Sequence, residues 1–289
     1  MSRFLDRAAE RLLDRLRLKV KAHATSSDAG GHRSSALNQG LEFADHRQYV
    51  PGDDVRHIDW KAFARHRQLV IRQFEEERDA RIYVLVDSSA SMTRGEPAKA
   101  EVGRRLAAAF GYVGMKQLDR VRVIPFATEI AKTSRVFRSR AQIPELEKFL
   151  AEASAEGVTT FEQTVRSFAA RHSMRGLVVV VSDLMAPEGW EEGFRVLGRL
   201  GHQLVVVRVT CPEDDKPDFK GEMELHDSET GERLRLRVSP DLLVSYQRVI
   251  AEHVEECRRA AVRVGGRLVE APVELSTEKL IRRALPEVA

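Results

Sequence analysis

The 289-residue sequence lacks long apolar segments and carries little net charge. Its apolar runs, such as 177–181 and 204–207, have the length of a strand and fall well short of the ~18–20 residues that cross a membrane as a helix. The net charge of +3 provides no strong electric field that would attract nucleic acid. We therefore expect a protein with no transmembrane segment and no nucleic-acid partner.

Cysteine is also scarce, and the first residues do not resemble an export signal. Cys211 and Cys257 lie far apart, in no spacing typical of metal ligands, and we interpret them as buried or incidental thiols. The first 23 residues alternate charged side chains with leucine and contain no unbroken apolar core, unlike a secretory signal. Together these features predict a cytoplasmic protein.

Several catalytic motifs are missing as well. The sequence has no Gly-x-x-x-x-Gly-Lys phosphate-binding loop, which argues against a P-loop ATPase, and no Gly-x-Ser-x-Gly nucleophile elbow. A haloacid-dehalogenase-like phosphatase needs a second aspartate two residues after the first, and Ser89 occupies the corresponding place here. We therefore expect that the protein is not an enzyme.

Residues 81–289 show the pattern of an α/β domain. Short apolar segments that predict strands alternate with segments that predict helices, and the predicted strands are 82–86, 121–126, 133–137, 177–181, 204–209 and 267–273. This alternation is typical of a doubly wound, mostly parallel sheet with helices on both faces. Residues 222–238 alternate with period two around a polar turn, which predicts an inserted β-hairpin.

Residues 1–80 have a different pattern and form a second predicted region. Apolar residues recur at helical spacing over 3–23, and 24–40 is a small polar loop. Extended segments and turn residues over 41–76 predict a small β-rich subdomain. We predict that Trp60 is a buried anchor of this subdomain, and the alternative is that it belongs to a recognition surface.

Polar side chains converge where two of the predicted strands end. Asp87, Ser89 and Ser91 follow the first strand of the α/β domain, and Asp183 follows a later one. Thr159 adds a hydroxyl from a loop just before a helix. Ligands of open parallel sheets bind beyond the carboxyl ends of the strands, and these oxygen donors suit Mg²⁺ or Mn²⁺. The sequence therefore predicts one divalent metal ion at this edge.

The same residues resemble the metal-ion-dependent adhesion site of von Willebrand factor A domains. That pattern consists of Asp-x-Ser-x-Ser, a distant threonine after glycine and a later strand-end aspartate, and it matches Asp87, Ser89, Ser91, Thr159 and Asp183. The resemblance implies a von Willebrand factor A-like fold and an ion with an open position that accepts an acidic side chain of a partner. Two residues depart from it, because Val158 and Leu184 stand where many relatives have glycine.

A longer string of polar and aromatic residues lies upstream. Its members are Glu42-Phe43, Arg47, Tyr49, Pro51-Gly52-Asp53-Asp54, Arg56, Ile58-Asp59-Trp60, Ala64-Arg65 and Arg72-Gln73-Phe74-Glu75. The string resembles the signature of the bacterial family catalogued as domain of unknown function 58, and the resemblance covers roughly residues 30–285. It implies a metal-dependent protein-binding or adaptor role beside a MoxR-type AAA+ ATPase or another adhesion-type protein.

Two alternative functions stay open. Asp53 with Asp59 and Lys61 weakly resembles the metal site of restriction-type nucleases, which would make the protein a metal-dependent hydrolase or nuclease. The separation of six residues is short for that arrangement, and no basic stripe accompanies it. The other alternative is a structural scaffold that binds no metal.

Overall fold

The computed structural model describes residues 4–18, 20, 41–50, 55, 58–76, 80–128, 130, 133–153, 160–172 and 174–285. Internal contacts divide the chain into two units, of which one is Met1–Lys21 with Ala80–Ala289 and the other is Ala22–Asp79. In this division the first 21 residues belong with the larger unit, whereas the sequence pattern grouped them with residues 22–80.

The elements follow one another in alternating order along most of the chain. The described helices are α1 (Arg7–Leu13), α2 (Trp60–His66), α3 (Lys99–Lys116), α4 (Ile143–Glu152), α5 (Phe161–Arg171), α6 (Trp190–Arg199), α7 (Pro212–Asp215), α8 (Pro240–Arg263) and α9 (Thr277–Ala284). The described strands are β1 (Leu41–Gln48), β2 (Val70–Glu76), β3 (Arg81–Asp87), β4 (Arg120–Phe126), β5 (Leu177–Ser182), β6 (Gln203–Thr210), β7 (Gly221–His226), β8 (Arg233–Val238) and β9 (Arg267–Pro272).

Five parallel strands form the sheet of the larger unit, in the order β4-β3-β5-β6-β9. The chain begins this sheet at β3, adds β4 on one side, and then adds β5, β6 and β9 on the other. The predicted doubly wound, mostly parallel α/β architecture is confirmed.

Side chains alternate between the two faces of the sheet along each strand. Both faces are buried, because helices cover each of them. Ile82, Val84 and Val86 point into one core, which α1, α3, α4 and α9 cover. Tyr83 and Leu85 point into the other, which α5, α6 and α8 cover. Strands that are buried on both faces need continuous apolar runs, and for this reason β3 and β5 could be predicted from the sequence.

Two predicted elements differ from those observed. Residues 133–137 form no strand, although one isolated bridge joins Phe137 to Val121 of β4 and Ser134 N–H donates to the carbonyl oxygen of Val123 at 3.0 Å. The hydroxyl of Ser134 accepts the backbone N–H of Val123 at 2.9 Å, so a side chain takes the place of a ladder carbonyl. The predicted helix over 3–23 is also too long, since α1 ends at Leu13.

The segment after α1 is held by side chains from the end of α3 and from the residue that follows it. Lys116 Nζ donates to the carbonyl oxygens of Leu13 at 3.1 Å and Asp14 at 2.8 Å. Gln117 exchanges two hydrogen bonds with the backbone of Leu18, at 2.6 and 3.0 Å. The N-terminal segment is therefore integrated into the larger unit. Within the described residues, no helix is both long and apolar enough to cross a membrane.

The predicted hairpin is present as a two-stranded antiparallel sheet of β7 and β8. Asp227 begins its turn, and its Oδ1 accepts the N–H groups of Glu229 at 2.7 Å and Thr230 at 2.8 Å. An aspartate that bonds backbone two and three residues ahead is typical turn chemistry.

The smaller unit contains an antiparallel pair of strands with one helix between them. β1 pairs with β2 with an irregularity between Phe43 and Asp45, and α2 lies between them in sequence. Trp60 is 60% exposed, so its predicted role as a buried anchor is wrong. The reason is local: Asp59 caps the helix by accepting the N–H groups of Lys61 and Ala62, which makes Trp60 the first helical residue, on an open turn.

Candidate metal centre at the sheet edge

The candidate site lies where the order of the strands reverses. β3 has β4 on one side and β5 on the other, which makes its carboxyl end the switch point at which open α/β sheets bind ligands. Val86 is in register with Val181, so Asp87 lies beside Ser182 and one residue away from Asp183. Adjacent strands are ~4.8 Å apart, and both carboxylates therefore reach the same edge.

Asp87 is buried and hydrogen-bonded on both oxygens. Its Oδ1 accepts the backbone N–H of Ser89 at 2.9 Å, and its Oδ2 accepts the hydroxyl of Ser182 at 2.5 Å. Burial, and next the negative charge of Asp183, raise the pKa of Asp87 to about 7 although the hydrogen bonds lower it. The edge therefore disfavours a second negative charge unless a cation lies nearby.

The two serines of the motif present their hydroxyls side by side. Ser89 Oγ and Ser91 Oγ are 3.0 Å apart, with Ser89 buried and Ser91 half-buried. Ser89 precedes a short 3-10 turn at Ala90–Thr93, which brings Ser91 back over it. Adjacent oxygen ligands of an octahedral ion at ~2.1 Å lie about 3 Å apart. The spacing of the two hydroxyls thus fits two neighbouring ligands of Mg²⁺ or Mn²⁺.

Asp183 is fixed by the turn that follows β5. Its Oδ1 accepts the N–H of Met185 at 3.1 Å, and Ser182 Oγ accepts the N–H of Leu184 at 3.1 Å. Leu184 adopts a left-handed conformation with φ of 60°, which explains why glycine suits this position. Its buried side chain and a 2.8 Å hydrogen bond from His253 Nε2 to its carbonyl oxygen hold leucine there instead.

A buried lysine completes the edge. Lys99 Nζ donates to Asp183 Oδ2 at 2.7 Å and contacts both carboxylate oxygens of Asp214, at 2.9 and 3.1 Å. Lys99 is 1% exposed. Burial lowers the pKa of Lys99, but the two carboxylates outweigh burial and raise it overall. The lysine is therefore charged.

Sequence reasoning missed both Lys99 and Asp214, although each had a signal. Lys99 precedes Val102, Leu106 and Phe110, so it lies on the buried stripe of α3 at helical spacing. Asp214 lies in α7, which directly follows the carboxyl end of β6. A lysine on an apolar stripe needs buried acidic partners, and strand-end aspartates of the same sheet were the available ones.

The remaining predicted ligand lies outside the described residues. Thr159 and Val158 both fall in the undescribed segment 154–159. The following residue, Thr160, directly precedes α5; its N–H donates to the carbonyl oxygen of Ala127 at 3.1 Å, and its hydroxyl donates to the carbonyl oxygen of Thr128. These contacts tie the start of α5 to the carboxyl end of β4, at the same edge as Asp87.

Among the described side chains, no group of three or more His, Cys, Asp and Glu residues forms a metal-type cluster. Of the residues named for the nuclease-like alternative, Asp59 uses its Oδ1 to cap α2, and Asp53 lies outside the described residues. The two cysteines are buried and free, and burial raises the pKa of each thiol to about 12.

The parallel sheet and the polar residues at its switch point define a von Willebrand factor A-like α/β domain. The chain belongs to the family described as protein of unknown function DUF58, whose sequence model matches residues 45–256. That match covers residues 45–79 of the smaller unit and residues 80–256 of the larger one.

Relatives in mycobacteria share most of this length. The chain is 25% identical over 256 residues to uncharacterized protein Mb1516 of Mycobacterium bovis. The aligned region covers 84% of this chain and 78% of the relative. The same values hold for uncharacterized protein Rv1480 of Mycobacterium tuberculosis.

Similar solved structures come from more distant proteins. An aerotolerance-related membrane protein from Bacteroides fragilis is 18% identical, with a TM-score of 0.47, over 72% of this chain and 99% of that one. BatB from Bacteroides thetaiotaomicron is 16% identical, with a TM-score of 0.45, over 72% and 98%. The SpRpn10 VWA domain is 12% identical, with a TM-score of 0.40, over 71% and 95%. The family assignment rests on the sequence match.

Proposed function

We propose that this chain binds a partner protein through one divalent cation, Mg²⁺ or Mn²⁺, at the carboxyl edge of the sheet. The proposed ligands, direct or through water, are Asp87, Ser89, Ser91, Thr159 and Asp183. The observation that carries the proposal is the 3.0 Å pair of serine hydroxyls beside the buried carboxylate of Asp87. Hard oxygen donors at this spacing suit these ions better than they suit zinc.

The residues divide into charged and neutral donors. Asp87 and Asp183 supply negative charge, whereas the hydroxyls of Ser89, Ser91 and Thr159 supply none. A divalent ion, when bound, would supply positive charge that a carboxylate of a partner protein can neutralise. The residues of the chain hold and orient that charge at a rim built by strand ends, and no step of the proposal requires bond making or breaking.

The partner we propose is a MoxR-type AAA+ ATPase or another adhesion-type protein, and the setting we propose is the cytoplasm. The partner follows from the resemblance of the upstream string to the DUF58 signature, which the match over residues 45–256 supports at the level of the family. On this proposal the chain is an adaptor, and the ATPase provides the chemistry.

Two measurements test this proposal together. Asp87→Ala should abolish the calorimetric binding of Mg²⁺ or Mn²⁺ while leaving the circular dichroism spectrum unchanged. The matched control is Asp119→Ala, because Asp119 is also buried but precedes β4, at the opposite end of the sheet. In a pull-down with this chain as bait, a MoxR-type ATPase of the same organism should bind the unsubstituted chain. Addition of EDTA and the Asp87→Ala substitution should each abolish this binding. Binding that survives both treatments would rule out the ion as the bridge.

A scaffold without metal is the second candidate, and one observation favours it. Lys99 already places an ammonium group against Asp183, at 2.7 Å, so part of the negative charge at the edge is balanced without an ion. On this alternative the pull-down would be insensitive to EDTA, and Mn²⁺ would give no calorimetric signal with the unsubstituted chain.

A further inference from the structure

The ammonium group of Lys99 lies between carboxylates from two different strand ends. It contacts Asp183 Oδ2 at 2.7 Å, and Asp214 Oδ2 and Oδ1 at 2.9 and 3.1 Å. An ammonium group has three N–H donors and no acceptor. Each of the three donors therefore has a carboxylate oxygen within reach, and β5 and α7 are joined through one positive charge.

The three side chains are almost fully buried, with exposures of 1% for Lys99, 2% for Asp183 and 5% for Asp214. A buried carboxylate without a counter-charge strongly destabilises a fold, because it has lost its hydration and gained nothing in return. Removal of Lys99 alone would leave the carboxylates of Asp183 and Asp214 without this counter-charge. The edge then keeps its shape only if another cation takes the place of the ammonium group.

The formal charges at the edge also favour the binding of a second cation. Asp87, Asp183 and Asp214, when ionised, contribute three negative charges, and Lys99 balances one of them. The remaining two equal the charge of a single divalent ion. Asp183 contacts Lys99 and lies one residue beyond the position beside Asp87, so the motif and the lysine pair share one edge of the sheet.

We propose that Lys99 is a built-in counter-cation of the sheet edge, which holds Asp183 and Asp214 in place when no metal ion is bound and weakens the attraction of the edge for a divalent ion. This inference rests on the proposed ion site. It assigns to Lys99 a role in positioning and in affinity, not direct contact with the partner.

The test uses the full chain, stripped with EDTA, with Mn²⁺ as the probe. Lys99→Met should melt at a lower temperature than the unsubstituted chain in EDTA and should bind Mn²⁺ at least about tenfold more tightly, since one positive charge has been removed. Saturating Mn²⁺ should raise its melting temperature by more than it raises that of the unsubstituted chain. A folded Lys99→Met variant with unchanged or weaker Mn²⁺ affinity would overturn the inference.

Lys116→Met is the matched control. Lys116 ends the same helix, about 25 Å along its axis from Lys99, and donates to backbone carbonyl oxygens near α1. Its loss should lower the melting temperature without changing the affinity for Mn²⁺.

A second variant, Lys99→Met with Asp214→Asn, removes one charge of each sign, so its affinity for Mn²⁺ should return towards that of the unsubstituted chain. If Lys99→Met is unfolded in EDTA, folding on addition of Mn²⁺ supports the inference, and failure to fold at saturating Mn²⁺ contradicts it.

The outcomes separate this inference from the proposed function. If the unsubstituted chain binds Mn²⁺ and folded Lys99→Met binds it equally, the inference about Lys99 fails and the ion site stands. If only Lys99→Met binds Mn²⁺, the lysine excludes the ion from the unsubstituted chain, so the inference holds and the proposed function fails. If neither protein binds Mn²⁺, both fail.

Discussion

Single residues at the sheet edge show how much the local environment changes a side chain. Asp87 accepts hydrogen bonds from Ser89 and Ser182, yet burial and the charge of Asp183 raise its pKa to about 7. Lys99 is buried as deeply but stays charged, because two carboxylates contact its ammonium group. Residue type alone therefore does not give the charge state here, and the partners decide it.

A dependence of stability on pH follows from Asp87. Its pKa in the unfolded chain is about 3.8 and in the folded chain about 7, so the folded state holds the proton more tightly in between. The resulting stabilisation is complete below about pH 4 and is lost as the pH rises through about 7. Without metal, the urea midpoint should fall between about pH 5 and about pH 7.5 by more than it does for Asp87→Asn. Equal falls in the two proteins would contradict the raised pKa.

Truncation of the two tryptophans should change stability by very different amounts. Trp60 is 60% exposed and contacts the ring of Phe63 edge-on at 6.2 Å, so Trp60→Ala should change the free energy of unfolding by no more than about 0.5 kcal/mol. Trp190 is 3% exposed and stacks on Phe161 at 4.3 Å, so Trp190→Ala should cost about 3–5 kcal/mol. Urea denaturation of both variants measures this, and a large loss for Trp60→Ala would restore the buried-anchor interpretation.

At the scale of elements, the pairing of β3 with β5 determines where Asp87 and Asp183 meet. Gly176, just before β5, lies so close to β3 that an added Cβ would be 2.3 Å from the carbonyl oxygen of Arg81. A backbone oxygen in a strand cannot move aside as the end of a flexible side chain can. Glycine is thus required at this crossing, and the register of the two strands depends on it.

Two glycine-to-alanine substitutions should have effects of opposite sign. Gly176→Ala should destabilise the chain by about 1–3 kcal/mol, because the strands must shift to relieve the contact. Gly103→Ala should stabilise it by up to about 1 kcal/mol: a Cβ there meets Met92 and Val181 at an ordinary 3.5 Å, and alanine favours the helix. Thermal melts of both variants measure this. A neutral Gly176→Ala would show that the two strands are not so tightly packed.

At the scale of the whole molecule, the larger unit was predictable and the details of its site were only partly so. The apolar strands and the residues that follow them are enough to predict that Asp87 and Asp183 lie at one edge. The contact between Lys99 and Asp214 was not predicted, because it joins residues 115 positions apart and a local pattern does not report which residues pair. Trp60 was misjudged because aromatic character suggested burial, whereas the Asp59 cap fixes it on an exposed turn.

The most direct test of the central claim is to locate a metal ion in crystals of the full chain grown with Mn²⁺. Anomalous scattering at the manganese edge identifies the element and its position. We predict one strong peak at the carboxyl ends of β3 and β5, at ordinary ligand distance from Ser89 Oγ and Ser91 Oγ, with Lys99 still bound to Asp214. An edge without an anomalous peak at saturating Mn²⁺, or a peak only elsewhere on the chain, would contradict the account.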